Sequence, residues 1–150
     1  MERLTIGAVE FQSLAHIIHL IDIFKPFKGE QLDKILAHIL LFSFKPGEVI
    51  FKTGAPAEAF YIIHEGTVKL LFKWGLLWLW RKRAFLGPGN IFGEMALLEN
   101  RPHSAAAVAK TGVKLFVILR PDFEALVRLN PAFAEEIRQI AALRHFQTSH

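Results

Sequence analysis

The sequence of 150 residues contains no cysteine. This absence excludes disulfide bonds, thiolate metal sites and cysteine nucleophiles, and it is typical of a cytoplasmic protein. Long hydrophobic runs are also missing, although 52% of the residues are hydrophobic and the mean hydropathy is +0.30. The apolar segments at residues 11–24 and 74–80 fall short of the about 20 residues that a membrane-spanning helix needs. The first residues lack the basic-then-apolar pattern of a secretory signal, so we expect a cytoplasmic location.

Motifs of common enzyme classes are absent as well. The sequence has no G-x-S-x-G, no H-E-x-x-H and no Walker phosphate loop. His16 and His19 stand three residues apart, but no carboxylate or third histidine completes a metal-binding set at a suitable spacing. We therefore expect neither an enzyme nor a metal site. The net charge of +4 favours an anionic partner, either a nucleotide, a nucleic acid or a lipid headgroup, without choosing among them.

The first 41 residues have the hydrophobic period of helices. Apolar residues recur three or four positions apart from Leu14 through Ile21 to Phe24, and Pro26 ends this segment. Residues 30–41 repeat the pattern and predict a second helix.

Over residues 42–119 the period changes to that of short strands separated by turn residues. The turn residues are Gly47, Gly54, Gly66, Gly75, Gly87, Gly89 and Gly112. A spacing of about 8–12 residues between turns is typical of a small antiparallel sandwich or jelly roll. Helical spacing returns over residues 120–147, where Pro121 suits a first turn and Asn130 with Pro131 divides two helices. Since no linker interrupts residues 1–150, the sequence predicts one α+β domain, mainly β, with helices on both sides of a β-roll.

A tryptophan-rich hairpin, KLLFKWGLLWLWRKR, departs from simple alternation. Even-numbered residues from Val68 to Trp74 form one apolar face, but residues 76–80 are apolar on both faces. One interpretation is that the terminal helices cover the outer face. The other is that Trp74, Trp78 and Trp80 form a dimer, partner or membrane-surface contact beside the basic residues that follow.

The segment GNIFGEMALLENRPHSAAAVA, residues 89–109, is the most informative candidate site. Gly93 lets the backbone approach a ligand closely, and Glu94 offers an acceptor for hydroxyl groups. The short helical run from Met95 has N–H groups that suit an anion, and small residues from Ser104 onward leave the next backbone stretch open. A cyclic phosphodiester with a neighbouring ribose hydroxyl is a ligand that fits this chemistry.

Two segments together, PGEVIFKTGAPAEAFYIIHEGTVKL and LGPGNIFGEMALLENRPHSAAAVA, resemble the cyclic-nucleotide-binding domain family of catabolite activators, protein kinase A regulatory subunits and cyclic-nucleotide-gated channels. The resemblance covers roughly residues 20–146 and identifies residues 92–106 as the family's phosphate-binding cassette. It implies an eight-stranded β-roll, a hinge helix at residues 122–129 and a lid helix at residues 132–146. These helices are expected to move when cAMP or cGMP binds, as a shift between two packings.

The resemblance also implies the site residue by residue. The counterpart of Glu94 holds the ribose 2′-hydroxyl, and backbone amides of the cassette serve sugar and phosphate. The predicted ligand-binding residues are Phe92, Gly93, Glu94, Met95, Ala96, His103, Ser104 and Ala105.

Two positions depart from the family pattern, since His103 stands in place of the arginine and Ala106 in place of the threonine of many members. Where the family has Pro-Arg-Ser/Ala-Ala-Thr, this sequence has Pro102-His103-Ser104-Ala105-Ala106. A permanently charged, bidentate arginine is thus replaced by histidine, whose unperturbed pKa is about 6.5.

Three hypotheses stay open. In the first, the domain senses cAMP or cGMP with weakened or pH-dependent affinity and controls an effector domain or protein partner. In the second, a degenerate domain binds no nucleotide and acts as an interaction or oligomerisation module. In the third, the tryptophan hairpin is the primary functional element. Since no helix-turn-helix follows the last helix, we expect no DNA binding from this chain.

Overall fold

The computed structural model describes residues 1–20, 24–27, 29–74 and 80–149. Five helices and nine strands lie within these residues. In chain order they are β1 (Glu2–Leu4), α1 (Ala8–Leu20), α2 (Glu30–His38), β2 (Leu40–Phe44), β3 (Val49–Phe51), β4 (Ala59–Glu65), β5 (Val68–Trp74), β6 (Trp80–Leu86), β7 (Ile91–Phe92), α3 (Glu94–Leu98), β8 (Ala105–Ala109), β9 (Val113–Leu119), α4 (Arg120–Leu129) and α5 (Ala132–Ser149).

Two antiparallel sheets form the β-roll. The strand order is β1-β2-β9-β4-β7 in the first sheet and β3-β8-β5-β6 in the second. Helices α1 and α2 lie between β1 and β2 in the chain, and α4 and α5 follow β9, which confirms the predicted α+β class. Among the described residues, no helix combines the length and apolarity needed to cross a membrane.

Strand β9 separates two hydrophobic clusters. Phe116 and Ile118 pack with Phe60 and the helices on one side of the sheet. Leu115 and Val117 alternate with them and pack between the two sheets. Because successive strand side chains point to opposite faces, β9 is buried on both sides.

Turn glycines divide the strands as the sequence predicts. Gly47, Gly54 and Gly66 have φ angles of +85°, +86° and +88°. At Gly66 a Cβ would lie 2.2 Å from the carbonyl oxygen of Gly112, so this position has no room for a side chain. Gly75, the turn residue of the tryptophan hairpin, lies outside the described residues.

The second helix is shorter than predicted because sheet pairing takes over its end. Helix α2 ends at His38, and Ile39 is extended at φ −77° and ψ 134°. Leu40 and Leu41 pair with β9 in the five-stranded sheet. The prediction of a helix over residues 30–41 is therefore wrong at its C-terminal end.

The N-terminal segment partly follows its prediction. Helix α1 buries Leu14 and Ile18 as the helical spacing indicates, whereas Ile21 lies outside the described residues. Strand β1 was not predicted, because its three residues carry no alternating apolar pattern. It forms by pairing with β2, with Arg3 opposite Phe42.

The C-terminal helices begin and divide where the sequence predicts. Pro121 lies in the first turn of α4, and extended backbone at Asn130 ends this helix. The Asn130 side chain donates a hydrogen bond to the Pro26 carbonyl at 3.0 Å and accepts one from the Ala132 N–H at 3.1 Å. This residue therefore joins the junction of the two helices to the N-terminal segment.

An aromatic cluster holds the start of α5 on the core. The Phe133 ring lies 5.8 Å from Phe24, 5.3 Å from Phe27 and 5.6 Å from Phe123, measured between centroids. Phe133 is fully buried. The predicted lid helix is thus anchored at its first turn, and it also contacts α3 and β6.

Candidate functional site

Gly93 turns the chain from β7 into α3. It has left-handed backbone angles, φ +81° and ψ −2°. A Cβ at this position would lie 3.0 Å from Cδ2 of Tyr61 and 3.3 Å from the carbonyl oxygen of Ala59. Internal packing therefore requires glycine here, in addition to any close approach of a ligand.

Backbone hydrogen bonds fix the segment that follows α3. The Arg101 N–H donates to the Ala96 carbonyl at 3.0 Å, which turns the chain back along the short helix. The His103 N–H donates to the Ala55 carbonyl at 3.0 Å, and the His103 carbonyl accepts from the Gly54 N–H at 2.8 Å. His103 is thus held between α3 and the loop that joins β3 to β4.

An open cavity lies beside these segments, with about 710 Å³ of empty space when the part open to solvent is counted. The lining residues are Phe51, Leu70, Phe72, Gly93, Glu94, Met95, Ala96, Arg101, His103, Ser104, Ala105 and Ala141. The cavity therefore has one wall from β3 and β5, one from the cassette, and one contact from α5.

Two buried polar side chains face this cavity. Glu94 is 2% exposed and His103 is 5% exposed, and within the described part of the chain they are the buried polar or charged residues. Burying such groups costs free energy that hydrophobic residues would not lose. Their placement in one cavity is therefore unusual for a purely structural core.

The His103 ring is stacked on Phe51. The two centroids are 3.6 Å apart and the planes differ by 8°. Burial lowers the pKa of His103 below its usual 6.5, and the charges of Arg101 and Arg120 lower it further. The imidazole is therefore neutral near pH 7, which suits stacking on an aromatic ring.

The two arginines near His103 have different surroundings. The Arg120 guanidinium donates to the Ala57 carbonyl through Nε at 2.8 Å and also through Nη2, so it holds the start of α4 against the roll. Arg101 lines the cavity, and its Nε is paired with the Glu99 carboxylate. Both side chains of this second pair are partly exposed to solvent.

The start of α3 offers hydrogen-bond donors to the cavity. The N–H groups of Met95 and Ala96 have no intrahelical acceptor, as at the first turn of any α-helix. Together with the Glu94 carboxylate, they place donors and an acceptor on the same wall. This arrangement can bind a ligand that carries both an anionic oxygen and hydroxyl groups.

The structure brings together seven of the eight predicted site residues. Those that line the cavity are Gly93, Glu94, Met95, Ala96, His103, Ser104 and Ala105. Phe92 does not line it, because its side chain is fully buried and stacked on Tyr61 at a centroid distance of 4.9 Å. Of the predicted hairpin contact, Trp78 lies outside the described residues, as do the side chains of Trp74 and Trp80.

Other lining residues were not predicted as part of the site. Leu70 and Phe72 lie on the inward face of β5, which strand alternation indicates. Ala141 follows Phe133 and Ile137 at intervals of four residues, so its helical spacing places it on the inward face of α5. For Phe51 the sequence holds no such signal, since its contact with His103 depends on the pairing of β3 with β8.

Comparison with known proteins finds relatives in sequence and in fold. The cyclic AMP receptor protein of Thermus thermophilus is 34% identical over 122 residues, which are 81% of this chain and 56% of that protein. A cyclic nucleotide-gated potassium channel of Mesorhizobium japonicum is 35% identical over 98 residues, 65% of this chain and 25% of that protein. The chain thus spans about half, or less, of the length of these relatives.

A solved structure supports the fold. The crystal structure of a cyclic nucleotide-binding domain from Methylobacillus flagellatus superposes with a TM-score of 0.78 over 97% of this chain and 84% of that one, at 20% identity. Residues 41–130 match the profile of the family described as cyclic nucleotide-binding domain. Because this match covers more than half of the chain, the protein belongs to the cyclic nucleotide-binding domain family.

Proposed function

We propose that the chain is a regulatory domain that binds cAMP or cGMP in the cavity beside α3. The observation that carries this proposal is the burial of Glu94 and His103 against one cavity. Polar side chains on the wall of a cavity can form hydrogen bonds with a polar ligand. Similarity to the cyclic AMP receptor protein supports the same ligand class.

Each part of a cyclic nucleotide has a partner of suitable chemistry in the cavity. The Glu94 carboxylate accepts hydrogen bonds from ribose hydroxyls, and the N–H groups of Met95 and Ala96 donate to oxygens of the sugar phosphate. The aromatic and aliphatic wall that includes Phe72 packs against the apolar faces of the ligand. The base lies toward Ala141 of α5 in this arrangement.

Helix α5 is the element that transmits binding. It contacts α3 and β6 and contributes Ala141 to the cavity wall. A ligand that fills the cavity changes the free energy of the packing of α5 on α3, and the populations of its packings shift accordingly. The proposed target is an effector domain or protein partner that senses this helix, with the domain located in the cytoplasm.

His103 makes the proposed binding sensitive to pH. Burial lowers the pKa of His103, and the charges of Arg101 and Arg120 lower it further. A cyclic phosphate near the ring favours the imidazolium, while Glu94 lines the same cavity and Glu99 is paired with Arg101. Binding then takes up protons, so affinity rises as pH falls from 8 toward about 5.5.

Titration calorimetry with cAMP, cGMP and adenosine tests this proposal. We expect saturable binding of a cyclic nucleotide, stronger at pH 5.5 than at pH 8. Glu94→Gln should weaken binding by roughly tenfold to a hundredfold, since a charge-assisted hydrogen bond contributes about 1.5–3 kcal/mol. Glu65→Gln, at the other end of β4 from Ala59, is the matched control and should bind like the wild type.

His103→Arg separates a weakened site from a lost one. Arginine adds a permanent charge and a bidentate geometry, so we expect a gain of roughly tenfold or more in affinity for cyclic nucleotides. The absence of heat with millimolar cAMP and cGMP, in both the wild type and this variant, would contradict the proposal. It would favour the interaction-module hypothesis instead.

A further inference from the structure

Arg101, two positions before His103 in the sequence, is a cation at the cavity. Its side chain lines the cavity together with Glu94 and His103. Its backbone N–H donates a hydrogen bond to the Ala96 carbonyl, which fixes the position of the Arg101 backbone just after α3. Its charge also reaches the cavity, because Arg101 is one of the groups that lower the pKa of His103.

The Arg101 guanidinium is paired with a neighbouring carboxylate. The Arg101 Nε is paired with Glu99 Oε2, and the side chains are 41% and 46% exposed. Ion pairs with this exposure contribute little to stability, because water screens both charges. The guanidinium can therefore exchange this carboxylate for another anion at a small cost in free energy. Its planar, bidentate donor geometry matches a phosphate better than it matches a single carboxylate oxygen.

We infer that Arg101 is the cation that binds the cyclic phosphate, a role that the family arginine has at the position of His103. We also infer that Glu99 competes with the ligand for Arg101. This inference rests on the proposed function and adds a phosphate-binding residue and an internal competitor to the site. His103 then shapes the cavity by stacking on Phe51, while Arg101 supplies the permanent charge. The Arg101 guanidinium moves from Glu99 to the phosphate when the ligand enters.

The direct test compares cAMP and adenosine binding in matched variants. Arg101→Gln should weaken cAMP binding by roughly tenfold to a hundredfold and leave adenosine binding unchanged, because only cAMP carries the phosphate. Glu99→Gln should strengthen cAMP binding by about twofold to fivefold, since it removes the competing carboxylate. The variants Lys114→Gln and Glu65→Gln break an exposed ion pair elsewhere on the roll and should change neither ligand's affinity.

The His103→Arg background provides a second readout. If the introduced arginine supplies the phosphate contact there, Arg101→Gln should lower the affinity for cAMP much less than it does in the wild type. A double-mutant cycle measures this difference. If Arg101 had a purely structural role, Arg101→Gln would lower the affinity by the same factor in both backgrounds and for both ligands.

Proton NMR of the ligand-free protein separates the failure of this inference from the failure of the proposed function. Arg101→Gln should raise the pKa of His103, because it removes a nearby positive charge, whereas Lys114→Gln should not. An unchanged His103 titration, or wild-type cAMP affinity in Arg101→Gln, would overturn the inference and leave cyclic-nucleotide binding standing. If neither the wild type nor His103→Arg binds cAMP or cGMP, the proposed function fails and the inference fails with it.

Discussion

At the scale of single residues, His103 shows how one substitution changes the physics of a site. Its ring is stacked on Phe51 with a centroid distance of 3.6 Å, and it lies near two arginines. An imidazolium in this place meets burial and two positive charges, so the neutral form is favoured. The residue therefore contributes aromatic surface at neutral pH and charge only when an anion is close.

The lowered pKa of His103 predicts a loss of stability in acid. Below about pH 6.5 the unfolded chain takes up a proton at this histidine before the folded protein does, so the free energy of unfolding falls as pH drops toward 5. His103→Phe keeps a stacked ring without the titration and should lose less stability over this range. Urea denaturation at pH 5, 6 and 7 measures the difference.

The control for this prediction is His16→Gln, at an exposed position of α1. It should follow the wild-type dependence on pH. If His103→Phe also follows the wild-type curve, the burial of His103 does not affect its protonation in the way described.

Gly93 is a residue whose replacement should lower the stability of the fold. Gly93→Ala should destabilise the protein by about 1–3 kcal/mol, because it combines a left-handed backbone with contacts to Tyr61 and Ala59. Gly89→Ala, at φ +84° with no atom within 4 Å of the new Cβ, isolates the backbone cost and should lose less. Equal losses of unfolding free energy in chemical denaturation would show that packing against Tyr61 has no part in the choice of glycine.

The sequence predicts residue identities in the site better than their contacts. The cassette pattern placed seven residues on the cavity wall, since they follow one another closely in the chain. Phe92 belongs to the same run, but β7 alternation turns its side chain into the core, where it is fully buried. The stacking of Phe51 on His103 depends on strand register between distant segments, which no local pattern determines.

At the scale of elements, the junction of α4 and α5 rests on Asn130. Its side chain bonds both the Pro26 carbonyl and the Ala132 N–H. Asn130→Ala should lower the free energy of unfolding by about 1–3 kcal/mol, at about 0.5–1.5 kcal/mol for each lost hydrogen bond. It should also speed hydrogen exchange in α5, because the helix loses its attachment to the N-terminal segment.

A comparison variant shows whether this effect is local to α5. The Asn90 side chain accepts a hydrogen bond from the Gly87 N–H at 2.9 Å, in the turn before β7. Asn90→Ala should destabilise the turn without faster exchange in α5. Unchanged exchange of α5 in Asn130→Ala would mean that this junction does not hold the helix.

Element boundaries were predictable where a residue cannot do otherwise. Pro121 suits the first turn of α4, and Pro131 disfavours helical backbone at Asn130, where the helix ends. Leu40 and Leu41 have apolar side chains that suit a helix or a strand equally. Their pairing with β9, more than 70 residues away in the sequence, decides for the strand.

At the scale of the whole molecule, β9 joins two hydrophobic clusters into one cooperative unit. Leu115 packs between the sheets and Phe116 packs against the helices, and both are fully buried. Leu115→Ala should lower the free energy of unfolding by about 2–5 kcal/mol, and Phe116→Ala should lower it by about 3–5 kcal/mol. Because the two side chains share one strand, each variant should still unfold in a single transition, which circular dichroism and tryptophan fluorescence follow together.

Separate transitions for the helices and the sheets in either variant would contradict this account. They would indicate that the cluster around the helices unfolds independently of the roll. Ligand binding at α3 would then reach α5 through a contact that is not coupled to the whole fold.

Backbone amide signals in NMR, followed during titration with cAMP and cGMP, show whether a cyclic nucleotide occupies the cavity between the cassette and α5. We expect saturable shifts at the cavity residues Gly93, Met95, Ala96 and Ser104, with further shifts around Ala141 and none at Glu65 or Lys114. Unchanged spectra at millimolar nucleotide, or shifts confined to the groove between α2 and α4, would contradict it.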